Sequence, residues 1–298
     1  AIPFPQAKPS FMPLFPVPFF EDVDFDGVPD LITSPAVFAR TNLNNPFTNS
    51  VWMYKNSGTK EAPNFTFVQN NFLQDEMIEV GDYAYPAFVD YDGDGDDDLF
   101  IGNYGNAQFR GVIAHYENVG TPSLPSFKLV TDDFLSLSIL GRYSMKPQFV
   151  DINSDGNLDL AFLLADPRTV NTELFYIAGT KPNAIRFDDL QVQLVDFGID
   201  NTENILLADI DQDGIIDILL GKATGALEYW RNTGPAGSFN FKLQNNAFMG
   251  LGSSLTRTNL NTAIADLEND GRHDLIVGDQ SGNITIYGDF RGTMNAPQ

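Results

Sequence analysis

The sequence predicts an all-β fold, a β-propeller of four-stranded antiparallel blades with five blades recognisable. Three observations carry this. An acidic nine-residue loop occurs five times at a spacing near 60 residues. Short apolar runs flank every copy, as strands do. Helical periodicity is scarce, while 25 glycines and 18 prolines punctuate each unit.

The loop reads Asp-x-Asp-x-Asp-Gly-x-x-Asp and is followed at once by an apolar residue. Its alternating positions are Asp22, Asp24, Asp26 and Asp30; Asp90, Asp92, Asp94 and Asp98; and Asp151, Asn153, Asp155 and Asp159. Two further copies supply Asp209, Asp211, Asp213 and Asp217, then Asp266, Glu268, Asp270 and Asp274. The first aspartates lie 68, 61, 58 and 57 residues apart. A repeat of this length with one supersecondary unit per copy is the signature of a stacked or radial architecture.

Carboxylates this dense repel one another: a like-charged pair at ~4 Å costs roughly 4 kcal/mol at an effective dielectric near 20. The loop is tolerable when splayed in water or wrapped around a cation. Oxygens at positions 1, 3 and 5 line the inside of one turn, glycine at position 6 permits the sharp backbone angle, and position 9 closes the cage. By analogy with other calcium loops, position 7 offers its backbone carbonyl, which involves Val28, Asp96, Asn157, Ile215 and Arg272. Every side-chain donor is a hard oxygen and none is His or Cys, so Ca²⁺ is favoured over zinc or copper, with up to five ions. Asn153, the longer arm of Glu268 and the stiff Pro29 weaken three copies, leaving the second and fourth as the expected strongest sites.

An EF-hand begins the same way but needs a bidentate Glu at position 12 between two helices. Position 12 here holds Thr33, Ile101, Phe162, Leu220 and Val277, and the runs that follow the loops are short, apolar and several times ended by glycine. Those are buried strands, and the EF-hand is excluded.

Each unit contains four strand signals. One precedes the loop, such as Tyr85 to Val89. One follows it, such as Leu99 to Gly102. A third carries tyrosine, such as Val112 to Asn118, and leads into Asn-x-Gly turns at Asn56, Asn118 and Asn232. The fourth is expected at Phe65 to Val68, Phe127 to Val130, Ile185 to Phe187 and Phe239 to Leu243. Both inner strands are expected to be buried on both faces and the outer ones to alternate. The predicted blades cover about residues 12–79, 80–141, 142–200, 201–258 and 259–298 of a single domain, 1–298. The last is incomplete, stopping after its tyrosine strand. Residues 1 to 10 are a candidate for the missing strand, although Pro3, Pro5 and Pro9 make a poor one. The stretch from Ser34 to Ser50 makes the first blade the longest and is a candidate contact loop.

These motifs resemble the FG-GAP/VCBS repeat family, the integrin-α-like calcium-binding propeller repeat. The Tyr-x-Asn-x-Gly-Thr element makes the chain most similar to secreted surface proteins of the Bacteroidota. The resemblance runs from about Pro16 to Phe290. It implies calcium ligation at positions 1, 3, 5 and 9 of each loop, and a ring of seven blades of which this chain is a part; five closed blades are the other arrangement.

Composition bounds the function. The 298 residues carry 40 acidic and 17 basic side chains, a formal net charge of −23. Even five Ca²⁺ ions would leave it at about −13, which argues against nucleic acid and anionic lipid as partners. No run approaches the ~20 apolar residues of a membrane span. Cysteine is absent, so calcium is the available staple. Loops of this kind fill where calcium is near millimolar, pointing to a secreted or cell-surface location.

The expected role is an extracellular adhesion or protein-interaction module with structural calcium and an extracellular protein or glycan partner. Alternatives are a carbohydrate-binding propeller lectin, with Trp52, Trp230, Tyr83 or Tyr104 stacking on sugars, and a non-catalytic propeller attached to a secreted enzyme. For each aromatic, packing between or within blades is the default. No nucleophile elbow, histidine-rich site or phosphate loop is present, so no enzyme activity is expected. His115 and His273 are both expected to be surface residues.

Overall fold

The structure, a computed structural model, describes residues 16–35, 50–74, 77–105, 110–169, 171–181, 184–188 and 190–294. The chain divides into two compact units, Ala1–Glu79 and Val80–Gln298. The candidate extra strand at residues 1–10 and most of the candidate contact loop, residues 36–49, lie outside the described residues.

The first unit holds one antiparallel sheet of β1 (Pro16–Glu21), β2 (Asp30–Pro35), β3 (Trp52–Asn56) and β4 (Phe65–Gln69), in chain order. Tyr54 is fully buried in it and packs edge-on against Phe67 at 5.5 Å.

The second unit repeats this meander three times and then in shortened form. Its first sheet comprises β5 (Tyr85–Val89), β6 (Asp98–Gly102), β7 (Ile113–Asn118) and β8 (Phe127–Thr131). The next comprises β9 (Tyr143–Val150), β10 (Asp159–Ala165), β11 (Asn171–Ile177) and β12 (Gln193–Asp200). Then come β13 (Asn204–Ala208), β14 (Asp217–Gly221), β15 (Leu227–Asn232) and β16 (Phe241–Asn245). The last sheet has three strands, β17 (Asn261–Ala265), β18 (Asp274–Gly278) and β19 (Ile284–Tyr287), followed by the short helix α1 (Phe290–Met294). All pairings of these strands are antiparallel between sequence neighbours, so the fold is all-β with one up-and-down sheet per acidic repeat.

The second strand of each sheet explains the unbroken apolar runs. In β10, Leu160, Phe162 and Leu164 face a core shared with Phe100 and Ile113 of the preceding sheet, to which Met145 of β9 also contributes. Ala161 and Leu163 face the opposite way, into a core shared with Ile205, Leu207, Ile218 and Leu220 of the following one. In β14, Leu219 turns to a third core with Leu275, Val277 and Phe290. Alternate side chains enter two different cores, so both faces of the strand are dry. Close stacking also dictates the glycines that end these strands. A Cβ on Gly102 would lie 2.1 Å from the Met145 carbonyl oxygen, and one on Gly221 2.1 Å from that of Leu260.

The first strands differ from expectation. β5, β13 and β17 are only partly buried. Each is the edge of its sheet, and Pro86, Leu206 and Ala263 line an open cleft, while Ile205 and Leu207 of β13 still enter the core shared with the third sheet.

The turn between third and fourth strands has a repeated mechanism. The side-chain oxygen of Asn118 accepts from the N–H groups of Gly120 (3.1 Å) and Ser126 (2.9 Å). Asn56 does the same for Gly58 and Asn64, and Asn232 for Gly234 and Asn240. All three asparagines are buried. In the third blade the corresponding residue is Gly179, which has no side chain to close the turn. The fourth strand expected at Ile185 to Phe187 is therefore displaced. Ile185 instead donates its N–H to the Tyr91 carbonyl (2.8 Å) and enters the core, while β12 pairs with β11 further along. His115 is likewise not at the surface: it is 6% exposed and stacks on Phe100 at 4.3 Å, with burial pulling its pKa down. Position β7 faces the core between two sheets, and a flat ring fits there as an aromatic. His273 is exposed, as expected.

Replacing Asn118 by Ala strands two backbone donors in that turn. The expected loss is about 1–3 kcal/mol of unfolding free energy, read from guanidinium denaturation of the Asn118→Ala variant.

Candidate metal centres

The five acidic loops share most of their wiring from the backbone outward. The position-1 carboxylate accepts from the N–H groups of positions 5 and 6 in four loops. In the third, Asp151 accepts from Asp155 (2.9 Å) and Gly156 (2.8 Å); Asp22, Asp209 and Asp266 repeat it. In the second, Asp90 accepts from Gly93 and Gly95. The position-5 carboxylate takes the N–H of position 7 in every copy, at 2.9–3.1 Å: Val28 to Asp26, Asp96 to Asp94, Asn157 to Asp155, Ile215 to Asp213 and Arg272 to Asp270. Position 3 accepts from position 5 at Asp24, Asp92, Asn153 and Asp211.

The glycine at position 6 is left-handed throughout, with φ between +81° and +98°. Position 4 is left-handed as well, which the sequence does not announce. Gly93 suits it best; Phe25, Ser154, Gln212 and Asn269 hold φ between 55° and 65°. A non-glycine residue there costs on the order of 1–2 kcal/mol, so the local hydrogen bonds and the cage must hold it.

Position 9 serves two neighbours. In the third loop Asp159 is fully buried, and its Oδ2 accepts from Ile152 (3.1 Å) at position 2, while its Oδ1 accepts from Gly179 (2.8 Å) beyond the third strand. Asp30, Asp217 and Asp274 make the same pair of contacts. Asp98 takes Asn118 and Tyr91. Burial pushes the Asp159 and Asp217 carboxyls up to about 6 against these hydrogen bonds, and raises Asp98 too.

Three loops bring three carboxylates together, with one oxygen of each within 4.8 Å of the others. These are Asp22, Asp24 and Asp30; Asp90, Asp92 and Asp94; and Asp209, Asp211 and Asp217. In the second loop Asp96 adds a buried Oδ1 that has no hydrogen-bond partner, and burial followed by the charges of Asp94, Asp92 and Asp90 raises its pKa. Oxygen-only donors, converging negative charge and an orphaned buried acceptor fit a hard divalent cation. In the fifth loop Glu268 hydrogen-bonds Asp274, which raises the Glu268 pKa; a bond between two carboxyl groups holds a proton that a cation would displace.

Basic side chains stand over three loops, a feature the sequence reading did not identify. Lys55 pairs with Asp24 and Asp26, and holds the Asp24 carboxyl below its usual range. Arg231 pairs with Asp211 (2.7 Å) and Asp213 (2.8 Å), and Arg272 with Asp270 (2.6 Å). Lys55 and Arg231 occupy the same third-strand position, just before the residue that donates to position 9; Glu117 stands there in the second blade. The signal was available as alternation along the strand.

Of the aromatics considered for stacking, Trp52 packs on Phe67 (5.7 Å) within its own sheet, and Trp230 packs on Phe197 (5.4 Å) of the preceding sheet. Tyr83 is 66% exposed and stacks beside Tyr104 at 5.2 Å. Among the described residues, no helix is long and apolar enough to cross a membrane.

Repeated antiparallel sheets, each carrying one such oxygen cage, define a repeat protein of the propeller-blade type. The chain belongs to the FG-GAP-like repeat family, whose model matches residues 90–162 and 209–287, just over half of its length. Among solved structures it is similar to an Agrocybe aegerita lectin described as recognising non-reducing terminal N-acetylglucosamine, at 20% identity and a TM-score of 0.40, over 92% of this chain and 66% of that one. It is also similar to the Photorhabdus luminescens Tc holotoxin pore, at 12% identity and a TM-score of 0.30, over 92% of this chain and 14% of that one. No curated protein matches the chain.

Removing the cation that stands over the fourth loop should favour a second one. Arg231→Ala is expected to tighten Ca²⁺ binding there roughly 3–10-fold, within the range of exposed ion-pair energies, as read by calorimetric titration at low salt.

Proposed function

We propose that this chain is a calcium-stapled interaction module that works outside the cytoplasm, secreted or on a cell surface, as an adhesion or protein-interaction scaffold. The observation that carries the reading is the common wiring of the five loops, in which carboxylates are turned inward by backbone N–H groups before any cation arrives. Pre-organised anionic oxygens cost stability until a cation neutralises them. The same position-9 carboxylate that closes the cage also clamps the third strand, so an ion bound there ties loop and sheet together. Side chains at positions 1, 3, 5 and 9 and the carbonyl of position 7 are the proposed ligands. FG-GAP-like repeats, the absence of cysteine and the acidic surface support an environment rich in calcium. The reading gives the chain no catalytic role. The chelator experiment decides it. With saturating Ca²⁺ at ten times Kd, each filled site adds about 1.4 kcal/mol, so several sites should raise the melting temperature by many degrees over the same protein in EGTA. Equal melting curves with calcium and with EGTA would overturn structural calcium.

A further inference from the structure

Within the unit Val80–Gln298, loops and first strands of four sheets surround a cleft of about 640 Å³. It shares Tyr85, Lys146, Asn204 and Asn261 with an adjoining cleft of about 450 Å³. Lys146 is 8% exposed, although it lines both. Its Nζ donates to the Glu203 carbonyl (3.1 Å) and to Asn204 Oδ1, and lies 5.0 Å from the Tyr85 ring centre. These partners are all neutral. Among the described residues no carboxylate is ion-paired with it, in a chain where acids outnumber bases 40 to 17. The Glu203 carboxylate is taken by Lys222 at 2.8 Å. Asp279, the other charged residue lining the larger cleft, is held by the Ser281 N–H (2.8 Å) and the Asn283 side-chain amide (3.1 Å). Burial alone pulls Lys146 down to about 8, which leaves it mostly protonated at neutral pH.

A buried ammonium with only neutral partners is an unfavourable arrangement that an arriving anion would relieve. The cleft around it is built from groups that suit hydroxyls. Tyr83 offers an exposed ring, braced by Tyr104, which itself packs on Tyr143 at 5.0 Å. Such a ladder gives a rigid apolar face at little entropic cost. Asn201 and Asn261 make no side-chain hydrogen bond among the described residues, so their amides are free to donate and accept.

We propose that this cleft is a saccharide site selective for sugars that carry a carboxylate, of the uronic or sialic acid kind. The sugar ring lies on Tyr83, its hydroxyls meet the Asn201 and Asn261 amides, and its carboxylate reaches Lys146 Nζ. This rests on the reading of the chain as an interaction module and names its ligand. An acidic peptide is the competing occupant; an aromatic face set beside several side-chain amides favours the sugar.

The test is calorimetric titration of the full chain in calcium with a glucuronate-containing oligosaccharide, its neutral glucose counterpart and a glutamate-rich peptide. The acidic sugar should bind at least about tenfold more tightly than the neutral one. Lys146→Gln should abolish that preference, and Tyr83→Ala should weaken both sugars. No sugar binding at millimolar concentration by folded, calcium-loaded protein overturns the proposal. So does an equal affinity for both sugars, preference retained in Lys146→Gln, or tighter binding of the peptide. Should Lys146→Gln not fold, Lys146→Arg keeps the charge and moves it, and an unchanged preference there together with an unchanged Tyr83→Ala affinity overturns it. The melting comparison with EGTA is independent, so a failure here is distinguishable from a failure of the calcium reading.

Discussion

A buried aspartate at the end of each acidic loop joins two elements that would otherwise be independent. One oxygen of Asp159 closes its own loop through Ile152, and the other takes the N–H of Gly179 at the far end of the third strand. The same bifurcated clamp recurs at Asp30, Asp217 and Asp274. A carboxylate without such partners would be too costly to bury, and its backbone donors would lose their acceptor. The clamp sets where the second strand starts and where the third ends, and so fixes the register of every sheet. Position 9 would therefore be needed even in a loop that bound no metal.

Charge organises what the clamp leaves open. Positions 1, 3 and 5 are turned inward by backbone donors, and in three loops the carboxylates converge closely. Lys55 and Arg231 already lie against two of those loops, each from its own third strand. Glu117 occupies that place in the second blade, where Asp96 adds an unsatisfied oxygen. One loop design is thus graded by the residue the neighbouring strand holds over it. Lys146 is the converse case, a buried cation with no acid ion-paired to it among the described residues.

Local chemistry explains both the success and the failures of reading the strands directly. Asn118 and its counterparts are polar residues whose burial is invisible in a pattern of apolar runs, yet they close the outer hairpins. Where Gly179 replaces them, the predicted fourth strand at Ile185 moves to β12, and Ile185 becomes core. His115 looked like a surface group because histidine is polar, whereas its neighbours Phe100 and Phe134 make its place an aromatic one. β5, β13 and β17 read as buried from their apolar content, but they are sheet edges beside a cleft and only partly buried. Side-chain character alone does not reveal which edge of a sheet is covered.

From the sequence alone came the five-fold repeat, the acidic loops with their glycine at position 6 and the continuous apolar second strands. These are legible because each depends on residues within about ten positions of one another, and spacing of that length survives any later packing. Tertiary structure alone decided that position 9 clamps the third strand, that position 4 is left-handed, that basic side chains cover three loops and that Lys146 faces a cleft. Apart from the backbone angle at position 4 and the Arg272–Asp270 pair, which are local, those depend on which residues of separate strands and sheets come within hydrogen-bond or ion-pair reach, a distance that chain order does not encode.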